Sequence, residues 1–166
     1  SITIASGVGN PYFSVKFTGL GIDVGKHSIG HGGSFKDMSP GQLKVKIHKF
    51  HFQLMADLMK KLEAVPEGDG TMLDNTVIVY LSDAAEAHHS RCGQWPFVLI
   101  PGKNTGLQGG RYLDFPHYMQ DGHREIGNLY TTLLHAAGEK REYFGVRDAM
   151  LKGAARGDGP LEALLS

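Results

Sequence analysis

The chain has 166 residues, 41% of them hydrophobic and 20% charged. That is enough apolar material for a real core and too much for a disordered chain. Lys plus Arg equals Asp plus Glu at 17 each, which argues against a nucleic-acid-binding surface, because such surfaces rely on excess cations. No apolar run reaches the length of a membrane span. Residues 1–12 show neither the basic start nor the apolar stretch of a signal peptide. A start at Ser1 rather than Met reads as a processed or partial chain. Gly (23) and His (9) are both frequent. The glycines imply many tight loops, against an average share of about 7%, and the histidines raise the question of a metal. Cys92 stands alone and forms no internal disulfide.

In chain order, "YFSVKF" (Tyr12–Phe17) alternates apolar and polar residues and reads as a short strand. "TGLGIDVGKHSIGHGGS" is glycine-rich and reads as a loop. Ser39-Pro40 is a helix start, a cap residue followed by proline in the first turn. Leu43, Ile47, Phe50, Leu54, Leu58 and Leu62 then recur at steps of three and four, predicting a helix near 40–64. Val45, Phe52, Met55 and Met59 widen its apolar side, which implies packing on more than one face. "PEGDG" is a turn. Residues 74–82 and 95–101 are apolar on both faces and predict two strands of an α/β sheet. "GGRYLDFP" suggests a short edge strand. A last helix near 123–137 carries Ile126, Leu129, Tyr130, Leu133, Leu134 and Ala137, and Gly138 closes it. The expected fold is one α/β domain over 1–166, with 1–25 and 146–166 less regular. It is a layered sandwich with a small, largely parallel or mixed central sheet flanked by helices.

Three constellations carry chemistry. His27 and His31 are four apart, so in a helical turn they share a face and can hold one metal ion through imidazole nitrogen. The plain alternative is a pair of solvent-facing loop histidines. Asp83 ends an apolar strand, and His88 and His89 follow in the next loop. A carboxylate at a strand's carboxyl end sits where α/β sheets place ligands, and the histidines would complete a nitrogen and oxygen set suited to zinc. Here the alternative is a solvated loop, with Glu86 a surface residue. In "IPGKNTGLQGG" the glycines read as turns and Lys103 as an anion contact. Among the other histidines, His48 and His51 read as core or half-buried packers and His135 as structural, whereas His123, in the loop before the last helix, is a further substrate-binding candidate. Cys92 reads as a packed residue. Phosphate-loop, dinucleotide, nucleophile-elbow and C-x-x-C motifs are missing.

The order of "LDNTVIVYLSD", a histidine loop, "WPFVLIPGK" and "EIGNLYTTLLHAAG" resembles the C-terminal half of the alkaline-phosphatase and sulfatase superfamily. A closer resemblance is to a bacterial family, domain of unknown function fifteen-fifty-two. "HSIGHGG", "EAVPEGDGTMLDNTVIVYLSD", "AHHS", "WPFVLIPG", "GGRYLDFP" and "YFG" carry it over most of residues 26–145. The resemblance implies that Asp83 is a strand-end metal ligand and that His88 or His89 is a loop ligand. His27 and His31 would match an i, i+4 metal pair, with His where the superfamily has Asp. Ala84 and Ala85 depart from the residues that usually follow the aspartate. The superfamily's nucleophile and first carboxylate come from an N-terminal half that this sequence does not contain.

The resemblance therefore implies a metal-dependent hydrolase of small phosphate or sulfate esters, or its remnant. It would hold a divalent ion, zinc favoured, calcium or manganese otherwise, and reside in the periplasm or outside the cell. The alternatives are a non-catalytic domain binding a partner or a polysaccharide, and a zinc-stabilised structural module. An exposed edge of a partial sheet would be covered by a second copy or by the missing half.

Overall fold

The longest helix begins where its cap residues require. The Ser39 backbone N–H donates to Gln42 Oε1 (2.8 Å) and the Gln42 N–H to Ser39 Oγ (3.3 Å). This reciprocal capping box satisfies two N–H groups that a helix start would leave without partners. With Pro40 in the first turn it launches α2, Pro40–Glu63. The computed structural model describes residues 1–5, 14–82 and 93–166. They form two compact units, Ser1–Lys61 and Leu62–Ser166.

In the N-terminal unit, β1 (Lys16–Phe17) and β2 (Ile22–Gly25) pair antiparallel across a short 3-10 turn. α1, Lys26–Gly30, follows at once. The expectation of a loop through this stretch is corrected: it holds a strand and a helical turn. Its many glycines hid the alternation of Ile22 and Val24 that makes β2 and the single apolar Ile29 that anchors α1. The core is Phe17, Ile22, Ile29, Leu43 and Ile47, with Val15, Leu20, Val24, Phe35 and Met38 against it.

Only Leu43 and Ile47 of α2 are buried. Phe50, Leu54 and Leu58 continue the same stripe but are 37%, 51% and 37% exposed, and Val45 on another face is 67% exposed. The expected packing on more than one side is therefore not seen for Val45. The helix runs for roughly 36 Å at 1.5 Å per residue, and a core of five buried residues covers only its first turns. No helix among the described residues is long and apolar enough to cross a membrane.

In the C-terminal unit the turn expected at "PEGDG" forms at Gly68-Asp69 and joins a small antiparallel pair, β3 (Pro66–Glu67) and β4 (Gly70–Thr71). β5 (Val77–Leu81) and β6 (Phe97–Pro101) then pair with each other, as the sequence suggested. The pairing runs antiparallel, Val77 opposite Pro101 through Leu81 opposite Phe97. The expected parallel or mixed sheet is thus not what the described residues form: all three sheets are two-stranded and antiparallel. A continuous apolar run is the mark of a strand covered on both faces, yet β5 is half-buried along its length and Val98 of β6 is exposed, as an antiparallel sheet with one open face allows. Gly102 follows β6, and its N–H donates to Thr76 O (2.8 Å). A side chain there would strike the backbone carbonyls of Leu73 and Asp74.

α3, Ile126–Ala136, starts from a second capping box between Glu125 and Asn128, and Gly138 (φ +86°) follows its end. Leu129 packs with Leu107, Leu161 and Leu164, and Val77, Phe97 and Leu99 of the strands lie against this cluster. Residues 146–166 carry only two short 3-10 turns, yet Leu151, Ala155, Leu161 and Leu164 are buried. Polar groups of α3 hold this tail. Asn128 Nδ2 donates to Gly157 O (2.7 Å) and Gly159 O (2.8 Å), and Thr132 Oγ1 accepts the Leu161 N–H (2.7 Å). "GGRYLDFP" forms no strand; Arg111 instead donates to Ala163 O (2.8 Å).

Candidate metal centre

α1 exists because both of its ends are tied. The Lys26 N–H donates to Val15 O (2.9 Å), the His27 N–H to Ser14 Oγ (2.9 Å) and the Gly33 N–H to Ser28 O (2.8 Å). Ile29, 1% exposed, plugs the core. The bond from the His31 N–H to His27 O (3.1 Å) closes one turn between the histidines, and residues four apart on a helix are surface neighbours. Their Nε2 atoms consequently lie 3.1 Å apart, with ring centroids 4.7 Å apart and planes at 65°. Two imidazole nitrogens on one tetrahedral zinc, each about 2.0–2.1 Å from it, sit roughly 3.3 Å from each other. The pair thus converges at nearly the separation that shared ligation demands. The same distance suits an N–H···N hydrogen bond between neutral rings. Among the described residues, no group of three or more His, Cys, Asp or Glu comes together to hold a metal. The pair fits two positions of an ion's shell.

Asp83, His88 and His89, together with Glu86 and Cys92, lie outside the described residues. Lys103 is placed by a turn rather than by a ligand. Its Nζ meets Asp74 Oδ2 at 3.0 Å, and the same oxygen accepts the Thr71 N–H (2.8 Å) and hydroxyl (3.1 Å). The Lys103 bond, then the Thr71 N–H, holds the Asp74 carboxyl below its ordinary range. The Lys103 side chain is still 65% exposed, so its cation faces solvent while neutralised by Asp74.

His123 is buried, its Nδ1–H donating to Pro116 O (2.9 Å) and its ring edge-on to Tyr118 at 5.6 Å. Tyr118 in turn donates to Asp148 (2.5 Å). His123 therefore braces the loop ahead of α3. His135 donates to Arg141 O (2.7 Å) beyond the end of α3, a structural tie. His48 and His51 lie 6.4 Å apart on α2, His51 edge-on to Phe17 at 5.6 Å. Ser14 carries no signal in the sequence. It stands 13 residues before His27, and no local motif links the two.

No protein-family model, curated protein or solved structure matches the chain.

Proposed function

We propose that this chain is a divalent-metal-binding α/β domain of the alkaline-phosphatase and sulfatase type, built as a layered sandwich and directed at phosphate or sulfate esters. The observation that supports the reading is the 3.1 Å convergence of His27 and His31 Nε2 on one face of α1. The resemblance to the domain of unknown function fifteen-fifty-two family adds Asp83 and His88 or His89 as ligands. Zinc suits a nitrogen and carboxylate set better than calcium, which favours oxygen alone. A bound ion would polarise ester oxygens as a Lewis acid. The residues of this chain would hold and orient it, His27 and His31 as neutral imidazoles, which ties ion binding to pH.

A second reading, a non-catalytic domain that docks a partner, draws on the apolar stripe of α2 left open at Phe50, Leu54 and Leu58.

Elemental mass spectrometry on protein purified without added metal or chelator separates the two. Stoichiometric zinc or manganese that falls to background in His27→Ala/His31→Ala supports the first reading and directs a screen of phosphate and sulfate esters. Protein that holds no metal, even after reconstitution, removes the hydrolase reading and leaves the second.

A further inference from the structure

A helix of five residues cannot hold itself in water, since nucleating a turn costs more than its few hydrogen bonds return. The direction in which α1 presents His27 and His31 is therefore set by what grips its ends. At the carboxyl end the grip is backbone to backbone: the Gly32 N–H donates to Ile29 O (3.1 Å) and the Gly33 N–H to Ser28 O (2.8 Å). At the amino end one contact falls on a ligand residue itself, the His27 N–H donating to Ser14 Oγ at 2.9 Å. Ser14 is the residue that leads into β1, so this bond fastens His27 to the hairpin rather than to its own helix.

The chain makes room for that hydroxyl. A Cβ built on Gly25 would lie 2.7 Å from Ser14 Oγ and 3.0 Å from Ser14 Cβ. Gly25 has φ −64° and ψ 139°, a conformation that any residue adopts. The conformational freedom of glycine is thus not used here; only its lack of a side chain is. Gly25 and Ser14 form one device, a backbone left bare so that a hydroxyl can reach the His27 amide.

We infer that Ser14 is the positioning residue of the His27–His31 pair, and that it acts through the His27 backbone rather than by touching an ion. The inference rests on the metal reading above. Tilting the His27 peptide is magnified at the far end of its ring, so the Nε2–Nε2 separation depends on this bond. Partners that orient ligands in this way change metal affinity by about 10–100-fold when lost. A backbone tether belongs at the lower end, about tenfold.

The test uses Co²⁺ titrated into the full chain, read by its visible absorption, whose intensity and position report ligand geometry. Ser14→Ala removes the acceptor. Gly25→Ala leaves the hydroxyl in place and pushes it aside. Both should weaken Co²⁺ about tenfold and alter the band, whereas Ser14→Thr should restore wild-type behaviour. Amide NMR spectra showing Ile29, Leu43 and Ile47 unmoved confirm that the core is intact. If Ser14→Ala unfolds the unit, Gly25→Ala decides by itself. Unchanged affinity and band in the intact variant would overturn the role of Ser14 while the metal reading stands. Wild-type Co²⁺ binding that survives His27→Ala/His31→Ala would overturn the metal reading and this inference with it.

Discussion

Thr132 is 0% exposed, and its hydroxyl has two duties. It donates to Asn128 O one turn back (2.7 Å) and accepts the Leu161 N–H of the tail (2.7 Å). Thr132→Val keeps the shape and removes both bonds, leaving the Leu161 N–H buried without an acceptor. Such an orphaned donor costs about 1–3 kcal/mol. The expected outcome is a lower urea midpoint with an unchanged slope, because surface exposed on unfolding stays the same. Neighbouring Asn128, also 0% exposed, shows why this face of α3 is polar and still buried. Its carbonyl closes the capping box and its amide holds two tail carbonyls. Tyr143 completes the corner by donating to Glu125 Oε2 (2.9 Å). Burial, then that bond, pushes its phenol up to about 12.

At the level of the element, α2 carries the pH response. His48 and His51 both have side-chain pKa values below the usual one, first from desolvation and then from the Lys26 charge. Lys44 adds to the effect at His48, and His48 at His51. The unfolded chain thus binds protons at these positions more readily than the folded one. Their contribution to stability is full above the unfolded value of 6.5 and is lost as the pH falls from there through the folded values. The melting temperature of the N-terminal unit should therefore drop between pH 7.5 and 5.5, a window above the carboxylate range, about 3.9–4.3. Chelator in the buffer removes any metal contribution to the change. Replacing both histidines with glutamine should flatten the profile. An equal drop in that variant would place the titrating groups elsewhere.

For the molecule as a whole, the tail matters more than its lack of regular structure suggests. Among the described residues, Leu161 and Leu164 are buried in one cluster with Leu107 and Leu129, and Leu107 bridges to Leu165. Removing one buried leucine side chain costs about 2–5 kcal/mol, against a total stability of about 5–15 kcal/mol for a typical domain. Deleting residues 160–166 should unfold this unit. Trp95, the only tryptophan, donates to Ser82 O beside the β5–β6 pair and reports the loss by fluorescence. A deletion protein with a native emission spectrum would show that the strands and α3 suffice without the tail.

Much of the molecule is legible locally. The cap at Ser39, the stop at Gly138, the strands within 74–82 and 95–101 and the spacing of His27 and His31 all follow from residues a few positions apart, where propensity, capping and helical period act. The tertiary structure decided what depends on distant partners. It turned β5 and β6 antiparallel, although their continuous apolar runs read as strands covered on both faces. It folded the glycine-rich stretch after Phe17 into a strand and a helical turn, because Ser14 and Val15 supply acceptors from outside that stretch. It left Phe50, Leu54 and Leu58 of α2 partly exposed, because the fully buried core on this helix stops at Ile47. It committed Lys103 to Asp74, 29 positions earlier in the chain. Periodicity reports whether a side chain prefers to be buried; which neighbour buries it or bonds to it is settled only when separated segments meet.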